Sequence, residues 1–479
     1  MLKRGVWRWL VCCVGMAFLA GGQSSGQSTV TSTQQDQKDL AVTVYNSNVA
    51  LVRDVRRLRL PAGTLDLRYM DIAAEVNPAT VHIVSLTAPK DLSVLEQNYE
   101  YDLLSPQKLL QKYVGKELTL VRTETENNST KEVSVKATLL ALNEGPVWKV
   151  GNEIVTGIGT DRYVFPDLPE NLYSKPTLIW LLDNARDGEQ TVEASYLTNQ
   201  VNWNADYVFT IVSDQKGADL NGWVTVVNNS GTDFRNTQLQ LVAGEVHRVT
   251  EALLQAPRPM MKAAVAGAAQ FAQEPISEYH LYSLERRTNL QDKETKQISL
   301  LAATGVGFSK AFEVDGQQYY YHNAQSPGAP SREPVQVHIK FKNSQDNSLG
   351  MPLPAGTVRV YQGDSKGRLQ LIGEDRIGHT PKDETLDLHI GNAFDVVAER
   401  KQTDFKSFGR AFEFAFEISL RNHKPDPITV IVNEPIGGDW TMLDSNYKYE
   451  KTAAFAAQFQ VPVAANAESV VKYRVRVQW

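Results

Sequence analysis

The chain is poor in cysteine and in net positive charge, and each shortage excludes a class of protein. Its 479 residues contain two cysteines, Cys12 and Cys13, so everything beyond residue 13 lacks a thiol for disulfides, thiolate metal sites or nucleophilic catalysis. The formal net charge is −6, which is the wrong sign for a protein that grips phosphate backbones. Nucleic acid is therefore not expected as a partner, and stability must come from burial of apolar side chains.

Signatures of catalysis are missing as well. The sequence contains no phosphate loop (GxxxxGK followed by Ser or Thr) and no zinc helix (HExxH). The turn at 183–188 is similar to a calcium loop, but Ala185 stands where the third ligand belongs. His338 and His389 lie on the polar face of alternating strands, and the other six histidines are scattered without ligand spacing. No catalytic residue, cofactor or metal is predicted.

Long apolar runs are also missing, and the longest lies at the start of the chain. Three basic residues precede an apolar run from Trp9 to Ala20, which ends in small residues. This is the pattern of a secretory signal peptide over residues 1–22. The run is about 12 residues long, whereas a membrane-spanning helix needs about 20. The pattern predicts an exported protein, periplasmic or extracellular, without a transmembrane anchor once the signal is removed; retention of the segment as an anchor is the alternative.

Strict alternation of apolar and polar residues dominates the rest of the sequence. It is clearest at 335–342, 411–420 and 471–479, where every second residue is apolar. Period two is typical of strands with one buried and one wet face, and the last segment is predicted to bury Trp479. Similar strands are predicted at 41–45, 81–86, 133–141, 192–196, 207–212, 223–227, 237–242, 357–361 and 386–390. Many short strands predict an all-β, mainly antiparallel, multi-domain β-sandwich protein.

One short helix is predicted in the N-terminal half. Ser105 is a suitable N-cap, Pro106 fits the first helical turn, and Gly115 closes the segment. The domains predicted around it are a flexible polar linker at 23–39, an N-terminal β region at 40–190 and a C-terminal β-sandwich at 191–479. The alanine-rich stretch at 253–275 is predicted to be a mobile insertion, with a short docked helix as the alternative.

Several sequence blocks resemble a known family. They include LPAGTVRVY and GEDRIGHT, and together they lie at 196–209, 239–244, 280–284, 353–361, 373–380 and 391–397. In this order the blocks resemble the bacterial domain of unknown function that forms the C-terminal domain of mucoidy-inhibitor-A-like proteins, over about residues 190–479. The blocks at 42–46 and 50–54 are similar to the opening strand of those proteins. Such chains usually carry a long heptad-patterned helix pair before the shared domain, whereas residues 96–190 here show one short helix.

Two groups of residues are candidates for a binding site. Glu374, Asp375, Arg376 and His379 concentrate unlike charges in one predicted connection between strands, at 374–384. Carboxylates beside a histidine can bind a metal or transfer protons, whereas a turn whose charges pair with one another is the alternative.

Trp203 and Tyr207 are the second group. Four residues apart on an extended chain they share a face, which suits an aromatic platform for a sugar or peptide or, alternatively, the core of a sandwich. Taken together, the sequence predicts a non-catalytic interaction or structural module of the envelope or extracellular space, with a protein or an envelope glycan as its partner. A hydrolase or carbohydrate-active enzyme, with a site assembled from inter-strand loops, is the alternative.

Overall fold

A computed structural model of the chain describes residues 28–100, 104–126, 129–169, 172–173, 175–212, 217–244, 270–324 and 329–479. The predicted signal peptide and residues 253–269 of the predicted insertion lie outside the described residues. Within them, strands dominate and a single α-helix, α1 (Pro106–Lys112), is present. The predicted all-β class with one short helix in the N-terminal half is confirmed.

Thirteen strands lie in the described residues before residue 200. They are β1 Ser28–Ser32, β2 Gln37–Tyr45, β3 Val49–Leu60, β4 Gly63–Met70, β5 His82–Ser85, β6 Leu92–Glu100, β7 Glu117–Glu126, β8 Ser129–Ala141, β9 Val147–Val150, β10 Glu153–Thr156, β11 Arg162–Val164, β12 Thr177–Asn184 and β13 Gly188–Asn199. Short 3-10 helices lie at Gln34–Asp36 and Pro78–Thr80.

Twenty strands follow. The first ten are β14 Val201–Ile211, β15 Ala218–Asn228, β16 Phe234–Ala243, β17 Phe271–Ile276, β18 Tyr279–Leu284, β19 Thr288–Leu290, β20 Glu294–Val306, β21 Ser309–Asp315, β22 Ser331–Glu333 and β23 Gln336–Lys342. The last ten are β24 Gly356–Gly363, β25 Leu369–Ile377, β26 Thr385–Asn392, β27 Val396–Phe408, β28 Ala411–Asn422, β29 Ile428–Glu434, β30 Asp439–Ser445, β31 Tyr449–Ala453, β32 Ala456–Val463 and β33 Ala467–Gln478. Two more 3-10 helices are Gln318–Tyr321 and Gln345–Asn347.

The chain divides into two compact units that are discontinuous in sequence. Among the described residues, the first unit comprises 28–36, 57–70 and 84–192, and the second comprises the remainder. One boundary, between 192 and 193, lies close to the predicted domain boundary between 190 and 191. The predicted N-terminal region also contributes 37–56 and 71–83 to the second unit. The alternation of residues along a strand does not reveal to which unit the strand belongs.

The first unit contains two sheets. One has the strand order β1-β4-β12-β6 and the other has the order β10-β9-β8-β7-β11. The second of these sheets packs with α1 around a small core of Tyr113, Leu118, Leu120, Ala137, Leu139 and Trp148. The predicted cap of the helix is confirmed, because the Ser105 hydroxyl accepts a hydrogen bond from the Lys108 amide at 3.2 Å. None of the helices in the described ranges is long and apolar enough to cross a bilayer.

The predicted flexible linker is wrong for residues 28–39. Strand β1 pairs in parallel with β4, from Ser28 opposite Leu65 to Ser32 opposite Tyr69, and β2 begins at Gln37. The segment has little to bury, but a strand at a sheet edge is held by its backbone hydrogen bonds rather than by its side chains. Polar composition alone therefore misassigned it.

The second unit contains four sheets. Their strand orders are β17-β18-β16-β2-β3-β13-β5 with β19 paired to β16, β20-β15-β14-β24-β25, β26-β23-β21-β29-β32-β31, and β22-β27-β28-β33-β30. Most neighbouring strands are antiparallel, whereas β2 with β16, β14 with β24 and β21 with β29 are parallel. The last two sheets enclose an apolar core that includes Val337, Phe416, Ile418, Val432 and Val475.

The predicted faces of these strands are largely confirmed. Val337, Ile339 and Phe341 of β23 are buried, and the intervening residues face outward. Trp479 is the exception, because it lies just beyond the end of β33 and is 45% exposed. The predicted burial of its side chain is wrong, since the ladder that directs alternate residues inward has ended there.

Candidate functional site

The four charged residues predicted to share a loop do not converge. Glu374, Asp375 and Arg376 belong to β25, and only His379 lies beyond that strand. Successive side chains of a strand point to opposite faces, so Asp375 is directed away from Glu374 and Arg376. The predicted loop site is therefore corrected to one edge strand and the turn after it.

Three of these side chains make contacts with neighbouring strands or turns. Glu374 Oε2 lies 3.3 Å from Arg359 Nε on β24, and Asp375 Oδ2 accepts a hydrogen bond from the His389 amide at 2.8 Å. His379 Nδ1 accepts from the Ala355 amide at 3.1 Å, and Arg376 is exposed. These contacts tie β25 to its neighbours rather than form a pocket.

Trp203 and Tyr207 do share a face of β14, as predicted, but both are buried. Trp203 Nε1 donates a hydrogen bond to the Val242 carbonyl at 3.3 Å, and the Tyr207 hydroxyl donates to the Pro354 carbonyl at 2.8 Å. Burial raises the pKa of Tyr207 well above its ordinary value. Neither ring can stack on a ligand at the surface, so the platform hypothesis is corrected and the pair belongs to the core.

A continuous band of polar side chains crosses the outer face of the β26-β23-β21-β29-β32-β31 sheet. The opposite face of the same strands carries core residues such as Phe312, Ile339 and Val432, so alternation along each strand brings the polar residues to the outside. We call this band the polar strip; it consists of Glu313, Asp315, Gln336, His338, Lys340, Asp387, His389, Asn433 and Gln458.

Opposite charges concentrate at one end of the polar strip. The Lys340 ammonium lies 2.7 Å from Glu313 Oε1 and 2.9 Å from Asp387 Oδ2. Partial burial acts to lower the pKa of Lys340, but its hydrogen bonds to the two carboxylates outweigh burial and raise the pKa overall. For Asp387, burial acts to raise the pKa, and the hydrogen bonds from Lys340 and His338 outweigh it, so the pKa is lowered. The carboxylate is therefore held in its charged form.

Two histidines face each other at the same end. His338 and His389 are directly opposite in the β23–β26 register, and their ring centroids lie 5.2 Å apart. His338 Nδ1 lies 2.8 Å from Asp387 Oδ1, and its Nε2 lies 3.2 Å from Gln336 Oε1. Nitrogen and oxygen donors from three strands thus meet in one place.

Side-chain amides hold the other end of the polar strip. Gln336 Nε2 donates to Asp315 Oδ2 at 3.0 Å, and Asn433 Nδ2 donates to Asp315 Oδ1 at 2.9 Å and to Glu313 Oε2 at 3.1 Å. Gln458 Nε2 donates to Asn433 Oδ1 at 2.9 Å. Each amide therefore has a set orientation, and the acidic side chains are positioned before any ligand arrives.

A patch with exposed aromatic rings lies beside the 3-10 helix Gln318–Tyr321. Tyr319 is 64% exposed, and the Trp479 indole stacks on the His322 ring with centroids 4.3 Å apart and planes 20° apart. Gly437 makes room for it, since a Cβ at that position would lie 2.6 Å from the Trp479 ring and 3.1 Å from the Gln318 amide. We call Gln318, Tyr319, His322, Gly437 and Trp479 the aromatic patch.

A third cluster is fully buried between the last two sheets. Arg400 NH2 lies 2.6 Å from Glu434 Oε1, and both side chains are inaccessible to solvent. The Tyr321 hydroxyl donates to Glu434 Oε2 at 2.6 Å and lies 2.8 Å from the Tyr473 hydroxyl. The Arg400 guanidinium also lies 4.8 Å from the centre of the Tyr320 ring.

The charges of the buried cluster depend on one another. Burial acts to lower the pKa of Arg400, but the Glu434 carboxylate outweighs it and the pKa is raised well above the ordinary value. Burial raises the pKa of both Tyr321 and Tyr473, and Glu434 adds to the effect. The cluster therefore holds the Arg400–Glu434 ion pair, two neutral hydroxyls and a second carboxylate, Glu333, whose Oε1 lies 3.9 Å from Arg400 Nε.

A cleft of about 580 Å³ lies beside α1 in the first unit. Lys112, Lys116 and the segment 166–169 are among the residues that line it. The Tyr113 hydroxyl donates to the Asp167 carbonyl at 2.5 Å. This bond joins the end of the helix to the segment, and the cleft lies between the two.

The polar strip and the aromatic patch were not predicted from the sequence. The strip exists because particular strands pair with one another, and the patch exists because Trp479 lies just beyond the end of β33. The two strip histidines were placed correctly on a wet face, but nothing in the sequence pairs β21 with β23 and β23 with β26. The available signal was the alternation itself, which puts Gln336, His338 and Lys340 on one side of one strand.

The described residues thus form an all-β protein. Its polar strip lies on an open sheet face, and its aromatic patch lies at the end of a strand. A family model described as Domain of unknown function (DUF4139) matches residues 192–479. The match spans more than half of the 479 residues, and the chain belongs to this family. A search of curated proteins finds no match.

Proposed function

We propose that the chain is an exported, non-catalytic interaction module that binds an envelope glycan through its aromatic patch. The observation that carries this proposal is the open Trp479–His322 stack, in which nearly half of the Trp479 surface stays accessible. The apolar face of a sugar ring stacks on an indole in the same way as another ring does. The polar Gln318 amide and Tyr319 hydroxyl beside it suit the hydroxyl groups of a glycan.

The patch is also positioned by rigid neighbours. Trp479 directly follows β33, and its backbone amide donates to the Arg410 carbonyl at 3.2 Å. The Tyr319 ring lies 4.6 Å, edge to face, from Tyr320, which is itself buried. Since little side-chain freedom is lost when a ligand arrives, such a surface is suited to recognition.

Cosedimentation with insoluble envelope polysaccharide from the source cell tests the proposal. We expect the full chain to sediment with the polysaccharide. Trp479→Ala should weaken binding at least tenfold, because the stacking surface is lost, and Tyr319→Ala should weaken it less. Phe394→Ala is the matched control, since Phe394 is a 94% exposed aromatic residue outside the patch, and it should bind as the unchanged protein does.

Equal binding by Trp479→Ala and the unchanged protein would contradict the role of the patch. If the polysaccharide does not bind but a purified envelope protein is retained in a Trp479-dependent manner, the module binds protein and the glycan assignment is wrong. The link to mucoidy-inhibitor-A-like proteins stays a prediction from the resemblance.

Export has its own test. The basic start, short apolar run and small exit residues of 1–22 support cleavage during secretion to the periplasm or beyond. Mass spectrometry of the protein isolated from the source cell is expected to show a chain that has lost about 22 residues. Recovery of intact Met1 in that material would contradict a cleaved signal.

A further inference from the structure

The charged end of the polar strip has the donor set of a transition-metal site. Ligand atoms of Glu313, His338 and Asp387 all lie within 4.8 Å of one another. His389 lies across from His338, so a second imidazole is available on the same face. Two imidazoles and two carboxylates are a donor set that zinc prefers. We propose that Glu313, His338 and Asp387, with His389 as the fourth ligand, bind one Zn²⁺ ion.

The distances are compatible with this assignment. Donor atoms on a tetrahedral zinc, with bonds of about 2.0–2.1 Å, lie about 3.3 Å apart. The His338 Nδ1 to Asp387 Oδ1 distance of 2.8 Å is already shorter than that, and the ligand atoms of Glu313, His338 and Asp387 all lie within 4.8 Å of one another, a separation that side-chain rotation has to shorten for an ion to bind. The ligands come from β21, β23 and β26, which are neighbouring strands of one sheet, so the backbone does not need to move.

Lys340 occupies the place where the metal would bind. Its ammonium lies between Glu313 and Asp387, at 2.7 and 2.9 Å, and so it already neutralises the two carboxylates. The Lys340 side chain is 32% exposed, and ion pairs that water reaches contribute little to stability. The lysine can therefore turn outward, and a divalent ion takes over its contacts. Lys340 is thus a built-in competitor that sets the affinity of the site.

The side-chain amides at the other end of the polar strip orient one of the proposed ligands. Asn433 donates to Glu313 Oε2 at 3.1 Å and leaves Oε1 directed toward Lys340. Such outer contacts orient a carboxylate ligand and reduce the cost of ordering it. The site does not use the aromatic patch, so this proposal and the proposed glycan binding stand or fall separately.

Calorimetric titration of the full chain with Zn²⁺, purified without a polyhistidine tag, tests the site. We expect one ion to bind per chain. Asp387→Asn and His338→Ala should each weaken binding at least tenfold, and Lys340→Gln should strengthen it at least tenfold, because the competing ammonium is removed. Co²⁺ in place of Zn²⁺ is expected to give the visible absorption of a tetrahedral site.

The matched control is His423→Ala, which removes an exposed histidine outside the strip and should bind Zn²⁺ like the unchanged chain. Circular dichroism verifies that every variant is folded, and the isosteric Asp387→Asn change keeps the test valid if His338→Ala does not fold. Unchanged affinity in Asp387→Asn would overturn the site. Binding by Lys340→Gln but not by the unchanged protein would also overturn it, because Lys340 would then exclude the metal in the native chain.

Discussion

Replacing Arg400 with methionine is expected to lower the free energy of unfolding of the second unit by about 3–5 kcal/mol. The change leaves the Glu434 carboxylate buried without its cation, although it still accepts a hydrogen bond from the Tyr321 hydroxyl. An unpaired buried charge costs far more than the pair itself contributes. Urea unfolding followed by circular dichroism measures the loss.

Arg421→Met is the matched control. Arg421 NH2 lies 2.6 Å from Glu399 Oε1, a pair of the same chemistry between β28 and β27, but both side chains are about one-third exposed. Loss of an exposed pair costs about 0–1 kcal/mol. The double variant Arg400→Met with Glu434→Leu should recover at least half of the lost stability, because the fully buried Glu434 carboxylate is removed together with its cation. An equal loss in the Arg400 and Arg421 variants would contradict the special cost of the buried pair.

Trp148→Ala is expected to destabilise the β10-β9-β8-β7-β11 sheet by about 3–5 kcal/mol. Trp148 is fully buried in a core of which the described part contains six buried residues, and it stacks on the partly buried Tyr163 with ring centroids 5.8 Å apart. A cavity of this size removes a large share of the apolar contacts that hold the sheet together. Hydrogen exchange should show faster exchange of the β7, β8 and β9 amides, while protection in β28 and β33 is retained.

Two variants bracket that result. Trp148→Phe keeps an aromatic ring in the core and should cost clearly less than the alanine change. Ile154→Ala, at a position 71% exposed on β10, should stay within about 0.5 kcal/mol of the unchanged protein. Loss of protection throughout both units in Trp148→Ala would contradict a local core.

Alternation was a reliable guide wherever a strand has one buried face. It placed Val337, Ile339 and Phe341 correctly in the core because the strand geometry forces every second residue inward. It failed for β1 and for the end of β25, where charged or small polar residues occupy a strand at the edge of a sheet. At such edges backbone pairing decides the structure, and side-chain composition carries little information about it.

The candidate sites were harder to predict than the strands. The Zn²⁺ ligands come from positions 313, 338, 387 and 389, and only the pairing of three strands brings them together. An aromatic platform was predicted at Trp203 and Tyr207, which are buried, whereas Tyr319 and Trp479 are exposed. Two aromatic residues at alternate positions in the middle of a strand give the same sequence pattern whether their face is buried or exposed. Trp479, by contrast, is exposed because its strand has ended.

The discontinuous units have a consequence for how the chain is made. Strand β2 pairs in parallel with β16, and the Thr43 hydroxyl donates to Gln240 Oε1 across 197 residues. During synthesis β2 emerges from the ribosome long before β16 has been made. The edge of β2 that pairs with β16 therefore stays unpaired while the intervening residues are synthesised. Contacts this distant along the chain slow folding and prolong the exposure of sticky edges. A fragment cut to the family match at residue 192 would never receive β2, and its β16 would keep that open edge permanently.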